Sequence, residues 1–185
     1  EVYGFDHTGQ AVRRYLRLAT PEEDRALTAV VDGVAARLRD TYHLDVGVVY
    51  DRLNRRKIDL IPVPEWSDPP KAKIAELLQA VNQRLAAAHV PGGIQGVVQM
   101  TEQLAQAQGL DARITSDTKH IEIGLTDKAD SIAWVRHDLI QPEGIPWHDV
   151  LIAGDELGPI GGFEGSDNRL RVGVEDAVIV SVGVE

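Results

Sequence analysis

The chain contains no cysteine, which excludes disulfide staples, thiolate metal ligands and a cysteine nucleophile. A reducing cytoplasm is the default compartment for such a composition. No apolar run reaches the roughly 18–20 residues of a membrane span, and no signal-peptide pattern opens the chain, so no membrane partner is expected. Cations are outnumbered: 19 Lys and Arg face 29 Asp and Glu, a net charge of −10. A nucleic-acid binder needs a basic face, so nucleic acid is not an expected partner either. Aromatic residues make up only 5% of the chain, and Trp66, Trp134 and Trp147 read as packing residues rather than a base-stacking platform. Neither G-x-G-x-x-G nor G-x-x-x-x-G-K-[ST] is present, and the six His show no zinc spacing. Ser-His-Asp catalysis has no G-x-S-x-G elbow to rest on, and Ser166 has no evident partner.

What is there suffices for one respectable core or two small ones: 185 residues, 43% of them hydrophobic. Residues 1–18 read as a hairpin, with Val2–Phe5 and Ala11–Leu16 flanking the turn residues Asp6-His7-Thr8-Gly9. Thr20-Pro21-Glu22-Glu23 is a helix start with an N-cap, a proline at the first helical position and early acids. Leu27, Val30, Val31, Val34 and Leu38 give that helix one apolar face. Strands are expected at Val46–Tyr50 and Lys57–Pro62, joined by a basic turn at Arg52–Arg56. A second helix carries Ile74, Leu77, Leu78, Val81 and Leu85, and its stripe superimposes on the first when Ile74 is set on Leu27. A third helix, Val97–Gln108, leads to strands at Ala112–Thr115 and His120–Leu125. The order is a doubled αββ unit with an extra helix, which predicts an α+β open-faced sandwich.

From Asp127 the grammar changes. A helix is expected over Asp127–Leu139, and Val150–Ala153 and Ala177–Val182 read as strands buried on both faces of a parallel sheet. That is the pattern of an α/β layer, Rossmann-like but short of strands. Asp155 follows Gly154 just past the carboxyl end of the first strand, where α/β folds bind ligands. A Gly-rich stretch then ends in Asp167. Two carboxylates near a strand end suit a hard cation such as Mg²⁺; the competing reading is a turn with solvated acids.

His120-Ile121-Glu122-Ile123, then Lys128 opening a helix, then an apolar strand ending in Gly154-Asp155, resembles the order found in haloacid dehalogenase superfamily phosphatases with a large C2-type cap, the Cof-like and sugar-phosphatase-like group. The resemblance implies three parts: residues 1–18 as a hairpin leading from core into cap, 19–125 as the C2-type cap, and 126–185 as the C-terminal part of the α/β core. It implies that Lys128 is the catalytic cation offsetting charge on the transferred phosphoryl group, and that Asp155 and Asp167 are the Mg²⁺-site acids. Asn168 and Glu156 are supporting candidates, and Pro159 to Gly165 is an insertion between the two acids. The family's nucleophile lies in an Asp-x-Asp motif after its first strand, and no Asp-x-Asp occurs in this sequence. Without it no aspartyl-phosphate can form. The expected partners are therefore a small phosphorylated substrate and an N-terminal core segment, with these 185 residues inactive alone.

The basic cluster supplies further candidates. Arg52, Arg55, Arg56 and Lys57 lie where a cap could read a phosphate or sugar, with Arg offering bidentate contacts, and Lys119 and His120 hold the corresponding place before the last cap strand. Solvated turn residues are the competing reading. Outside phosphoryl chemistry, the chain reads as a non-catalytic α+β ligand-binding or assembly module that keeps a Gly-Asp turn.

Overall fold

The structure, a computed structural model, describes residues 1–155, 157–160, 163–164, 166–174 and 176–182; for Lys71, Pro159, Ile160, Phe163 and Glu164 it describes the backbone alone. The chain divides into two compact units: Glu1–Leu18 with Thr126–Pro159 and Glu164–Glu185, and Ala19–Leu125 with Ile160–Phe163. We call them the first and the second unit.

The first unit opens with β1 (Val2–Phe5) and β2 (Ala11–Tyr15), an antiparallel hairpin. Its turn is held by Asp6 Oδ1, which accepts from the Thr8 and Gln10 N–H groups at 2.8 and 3.0 Å, with Gly9 at φ 79°.

In the second unit, α1 (Pro21–Tyr42) starts on a full capping box. The Glu23 N–H donates to Thr20 Oγ1 at 3.2 Å and the Thr20 N–H to Glu23 Oε2 at 2.9 Å, so two amides that the helix cannot satisfy are paired reciprocally. All five stripe residues, Leu27, Val30, Val31, Val34 and Leu38, are completely buried. The strands β3 (Gly47–Arg52), β4 (Arg55–Asp59), β5 (Arg113–Ser116) and β6 (His120–Gly124) form one antiparallel sheet in the order β3-β4-β6-β5. Ile58 pairs with Val48 and Ile121, and Ile114 with Ile123, on the face that meets α1 and α3 (Gly93–Ala107). Lys57, Asp59, Glu122 and His120 occupy the opposite, charged face, as the period of two requires.

Two expectations are corrected in this unit. The basic residues Arg52, Arg55 and Arg56 do not form a loop: β3 runs through Arg52 and β4 begins at Arg55, leaving only Leu53-Asn54 as the turn. The helix that joins α1 on the sheet is α3, while α2 (Ile74–Ala87) packs chiefly on α3 and is therefore the extra helix. Gly33 marks the α1–α3 contact, since a Cβ there would lie 3.4 Å from Leu104 Cδ1.

After Thr126 the first unit resumes with α4 (Lys128–Val135), which continues as a wider π turn (Arg136–Ile140) and ends beyond Gln141–Glu143 at Gly144, φ 63°. Along the chain follow β7 (Leu151–Gly154), the two-residue strands β8 (Pro159–Ile160) and β9 (Phe163–Glu164), which flank the short stretch assigned to the second unit, a 3₁₀ turn (Ser166–Arg171) and β10 (Val178–Ser181). β7 and β10 pair in parallel, Leu151 with Val178 through Gly154 with Ser181. Ile132, Ile152, Val174 and Ala177 form the small core. The strands are not buried on both faces: Leu151 is 64% and Val178 50% exposed, because among the described residues one layer alone covers the pair. Trp134 stacks on Tyr15 with ring centroids 5.7 Å apart, and Trp147 packs against the small core.

Candidate active site

The first unit gathers its chemistry at the carboxyl end of β7. Asp127 caps α4 by accepting from the Ala129 and Asp130 N–H groups at 2.7 and 3.3 Å, and its own N–H donates to Asp130 Oδ2 at 2.9 Å. This box fixes Lys128 as the first helical residue. Lys128 Nζ donates to Ser166 Oγ at 2.7 Å and pairs with the Asp167 carboxylate. The pair is asymmetric in solvent: the Lys128 side chain is 44% exposed and that of Asp167 only 7%.

Asp167 also lies against the end of β7. A Cβ on Gly154 would sit 2.7 Å from Asp167 Cγ and 2.9 Å from its Cβ, so this position admits only glycine unless the acid moves. Asp155, the next residue, is exposed just past the strand end. The 3₁₀ turn that carries Ser166 and Asp167 packs on α4, and Arg169 Nε reaches Asp127 Oδ2 at 3.9 Å. Lys128, Gly154 and Asp167 thus converge, with Asp155 adjoining them in the chain. A cation, a buried acid and a second acid at the ends of parallel strands can bind a phosphate ester and its counter-ion.

Sequence reasoning missed two members of this arrangement. Ser166, for which the sequence offers no evident partner, accepts from Lys128. Arg169 carries no signal in the sequence beyond its place shortly after Asp167. Asn168 accepts from Arg171 at 3.3 Å, and Glu156 lies outside the described residues. Among the described residues no group of three or more His, Asp or Glu is arranged to hold a metal. Magnesium is commonly bound by one or two carboxylates, with waters and substrate phosphate completing the shell. Asp155, exposed at the strand end, can supply one such carboxylate.

The remaining candidates lie in the second unit. Arg55 Nη1 pairs with Glu122 Oε2 at 3.1 Å, and Lys57, of the same basic cluster, shares that carboxylate. Arg52 is exposed and its carbonyl accepts from Arg56 at 3.2 Å. Arg56 is buried on the helix side of the sheet and donates to Asp24 Oδ1 at 2.6 Å and Thr28 Oγ1 at 3.3 Å. Lys119 is also buried, donating to the Trp66 carbonyl at 2.6 Å and Asp59 Oδ2 at 3.1 Å. His120 Nδ1 meets Asp117 Oδ2 at 2.9 Å. Burial works to raise the Asp117 pKa, but the hydrogen bond and charge of His120, with the N–H groups of His120 and Lys119, outweigh it and hold the carboxyl below its usual range.

No family profile matches the sequence, and no curated protein matches it. Solved structures do. An IMP-bound mutant of the IMP-nucleotidase of Plasmodium falciparum is similar over 98% of this chain and 41% of that one, at 7% identity and a TM-score of 0.53. The N-terminally truncated, IMP-bound form of that nucleotidase is similar over 90% and 36%, at 9% identity and a TM-score of 0.49. The chain thus spans about two fifths of the length of the nucleotidase it matches. The likeness is one of fold alone: a mixed α/β architecture.

Proposed function

We propose that this chain is the cap and C-terminal core portion of a Mg²⁺-dependent phosphohydrolase of the haloacid dehalogenase type, acting on a small phosphorylated metabolite. Residues 1–18 lead from core to cap, 19–125 are a C2-type cap built as an open-faced sandwich, and 126–185 belong to the core. The observation that carries the reading is the Lys128 ammonium held between Ser166 and the buried Asp167, with Asp167 seated on Gly154 and Asp155 next in the chain. In this reading Lys128 offsets charge on the equatorial phosphoryl oxygens, Asp167 and Ser166 hold that ammonium in place, and Asp155 faces the cation. Bound Mg²⁺ would polarise the phosphoryl group and neutralise developing charge. Sugar phosphates are the favoured substrate class, because Arg55 lies on a strand whose charged face can take hydroxyls and phosphate.

The attacking carboxylate comes from a partner segment bearing Asp-x-Asp. The exposed apolar face of Leu151, Val178 and Val180 supports such a partner, since further strands and their helices would cover it. The test joins residues 1–185 to the segment encoded upstream and assays a panel of sugar phosphates, with IMP included because the structural neighbour binds it. Turnover that needs Mg²⁺, falls about 10²-fold or more in K128A and D155N, and is absent from residues 1–185 alone is the expected result. A natural start codon in place of an Asp-x-Asp segment in the codons preceding Glu1 would instead favour the binding or assembly module. Substantial turnover by residues 1–185, or a fully active K128A variant, would overturn the proposal.

A further inference from the structure

The main body of the second unit begins at Ala19 and ends at Leu125, and one residue holds both ends. The Ala19 N–H donates to Asn54 Oδ1 at 2.6 Å, and the Leu125 N–H donates to the Asn54 carbonyl at 3.1 Å. Asn54 is 8% exposed and sits at φ 56° in the two-residue turn between Arg52 and Arg55. That backbone conformation disfavours most side chains; Asn and Asp are the usual exceptions apart from glycine. Glycine would fit the turn but could offer nothing to Ala19. The position therefore demands a residue that accepts left-handed φ and also carries a side-chain acceptor. A second fastening is independent of the first. Arg56, two residues on, donates to Asp24 and Thr28 of α1 and to the Arg52 and Arg55 carbonyls, tying the same turn to the helix that follows Ala19.

We infer that Asn54 is a clasp on the two connections through which the main body of the second unit joins the first. It makes this body rigid out to Ala19 and Leu125, so that bending begins at Leu18 and Thr126. The inference concerns the mechanics of the chain and stands whether or not the proposed chemistry does.

Residue-resolved amide exchange and ¹⁵N relaxation on residues 1–185 test it. In the wild type, order should step down from Ala19 to Leu18 and from Leu125 to Thr126. Asn54→Gly keeps the turn conformation and the carbonyl but loses Oδ1, and glycine loosens the turn. Protection should then fall roughly five- to tenfold at Ala19 and also at Leu125, while Ile121 and Ile123 in β6 keep theirs. Asn54→Asp retains the acceptor and should behave as the wild type. Four outcomes overturn the inference: no step in order at the two boundaries; a loss confined to Ala19, which makes Asn54 a local turn residue; a parallel loss at Ile121 and Ile123, which makes it a folding residue; or N54D matching N54G.

Discussion

Replacing Lys128 by Met removes the cation from a carboxylate that keeps only 7% of its side chain in solvent. Breaking a fully buried ion pair costs about 3–5 kcal/mol, and an exposed pair is worth about 0.2–1 kcal/mol. Lys128 is 44% exposed, so water can partly replace it, and the expected loss in K128M lies between these limits, at about 2 kcal/mol. Asp167→Asn leaves the ammonium hydrogen-bonded to Ser166 and nearer to water, so it should cost less, about 1–1.5 kcal/mol. If the two groups stabilise each other, the double variant loses no more than K128M alone, giving a coupling of about 1–1.5 kcal/mol. Urea unfolding in a Trp66→Phe background reads this directly, because the remaining Trp134 and Trp147 both lie in the first unit. High salt should reduce the coupling without abolishing it, since the buried partner is screened less than a surface charge. A coupling below about 0.3 kcal/mol, or one erased by 1 M NaCl, would mean a surface contact and would refute the seating of Lys128 by a buried acid.

Gly154→Ala should destabilise the first unit by about 1–3 kcal/mol, read by the same fluorescence, because its methyl group would press on Asp167; an unchanged urea midpoint would show that the acid yields freely. Thr20→Ala should cost the second unit about 1 kcal/mol through loss of the capping box, seen as a lower midpoint by the Trp66 signal. Asp117 contributes a pH-dependent term. Its folded pKa lies below the unfolded one of about 3.9, so its stabilisation is fully present above that value and is lost as pH falls through the lower, folded one. The stability difference between wild type and D117N should therefore be flat from pH 6 to 5 and shrink towards pH 3. The effect is small, because the Asp117 side chain is 46% exposed; a difference independent of pH would exclude it.

Local signals were legible where one chain segment decides the outcome. Thr20-Pro21 with Glu23, the stripe from Leu27 to Leu38, and the alternation around Ile121 and Ile123 each specify an element without help from elsewhere. The rest depends on neighbours. Arg56 reads as a solvated turn residue until Asp24 and Thr28 are brought beside it, and Lys119 reads likewise until Asp59 and the Trp66 carbonyl enclose it. The stripes of α2 and α3 are both amphipathic, so periodicity could not decide which helix shares the sheet with α1; Gly33 opposite Leu104 was the available hint. At the candidate site, motif order points to Lys128 and Asp167, but the role of Ser166 depends on the 3₁₀ turn packing on α4.

The contact between Gly154 and Asp167 changes how such a site should be sought in other chains. Asp167 is placed by a glycine at a strand end, a lysine at a helix start and the turn it belongs to, which, Ser166 apart, lie outside the stretch separating it from Asp155. The number of residues between the two acids is then a free variable, open to insertion and deletion as long as both ends are kept. A search pattern that fixes that spacing would pass over this chain, whereas one that fixes the glycine, the helix-opening lysine and an acid on a short helical turn would retrieve it.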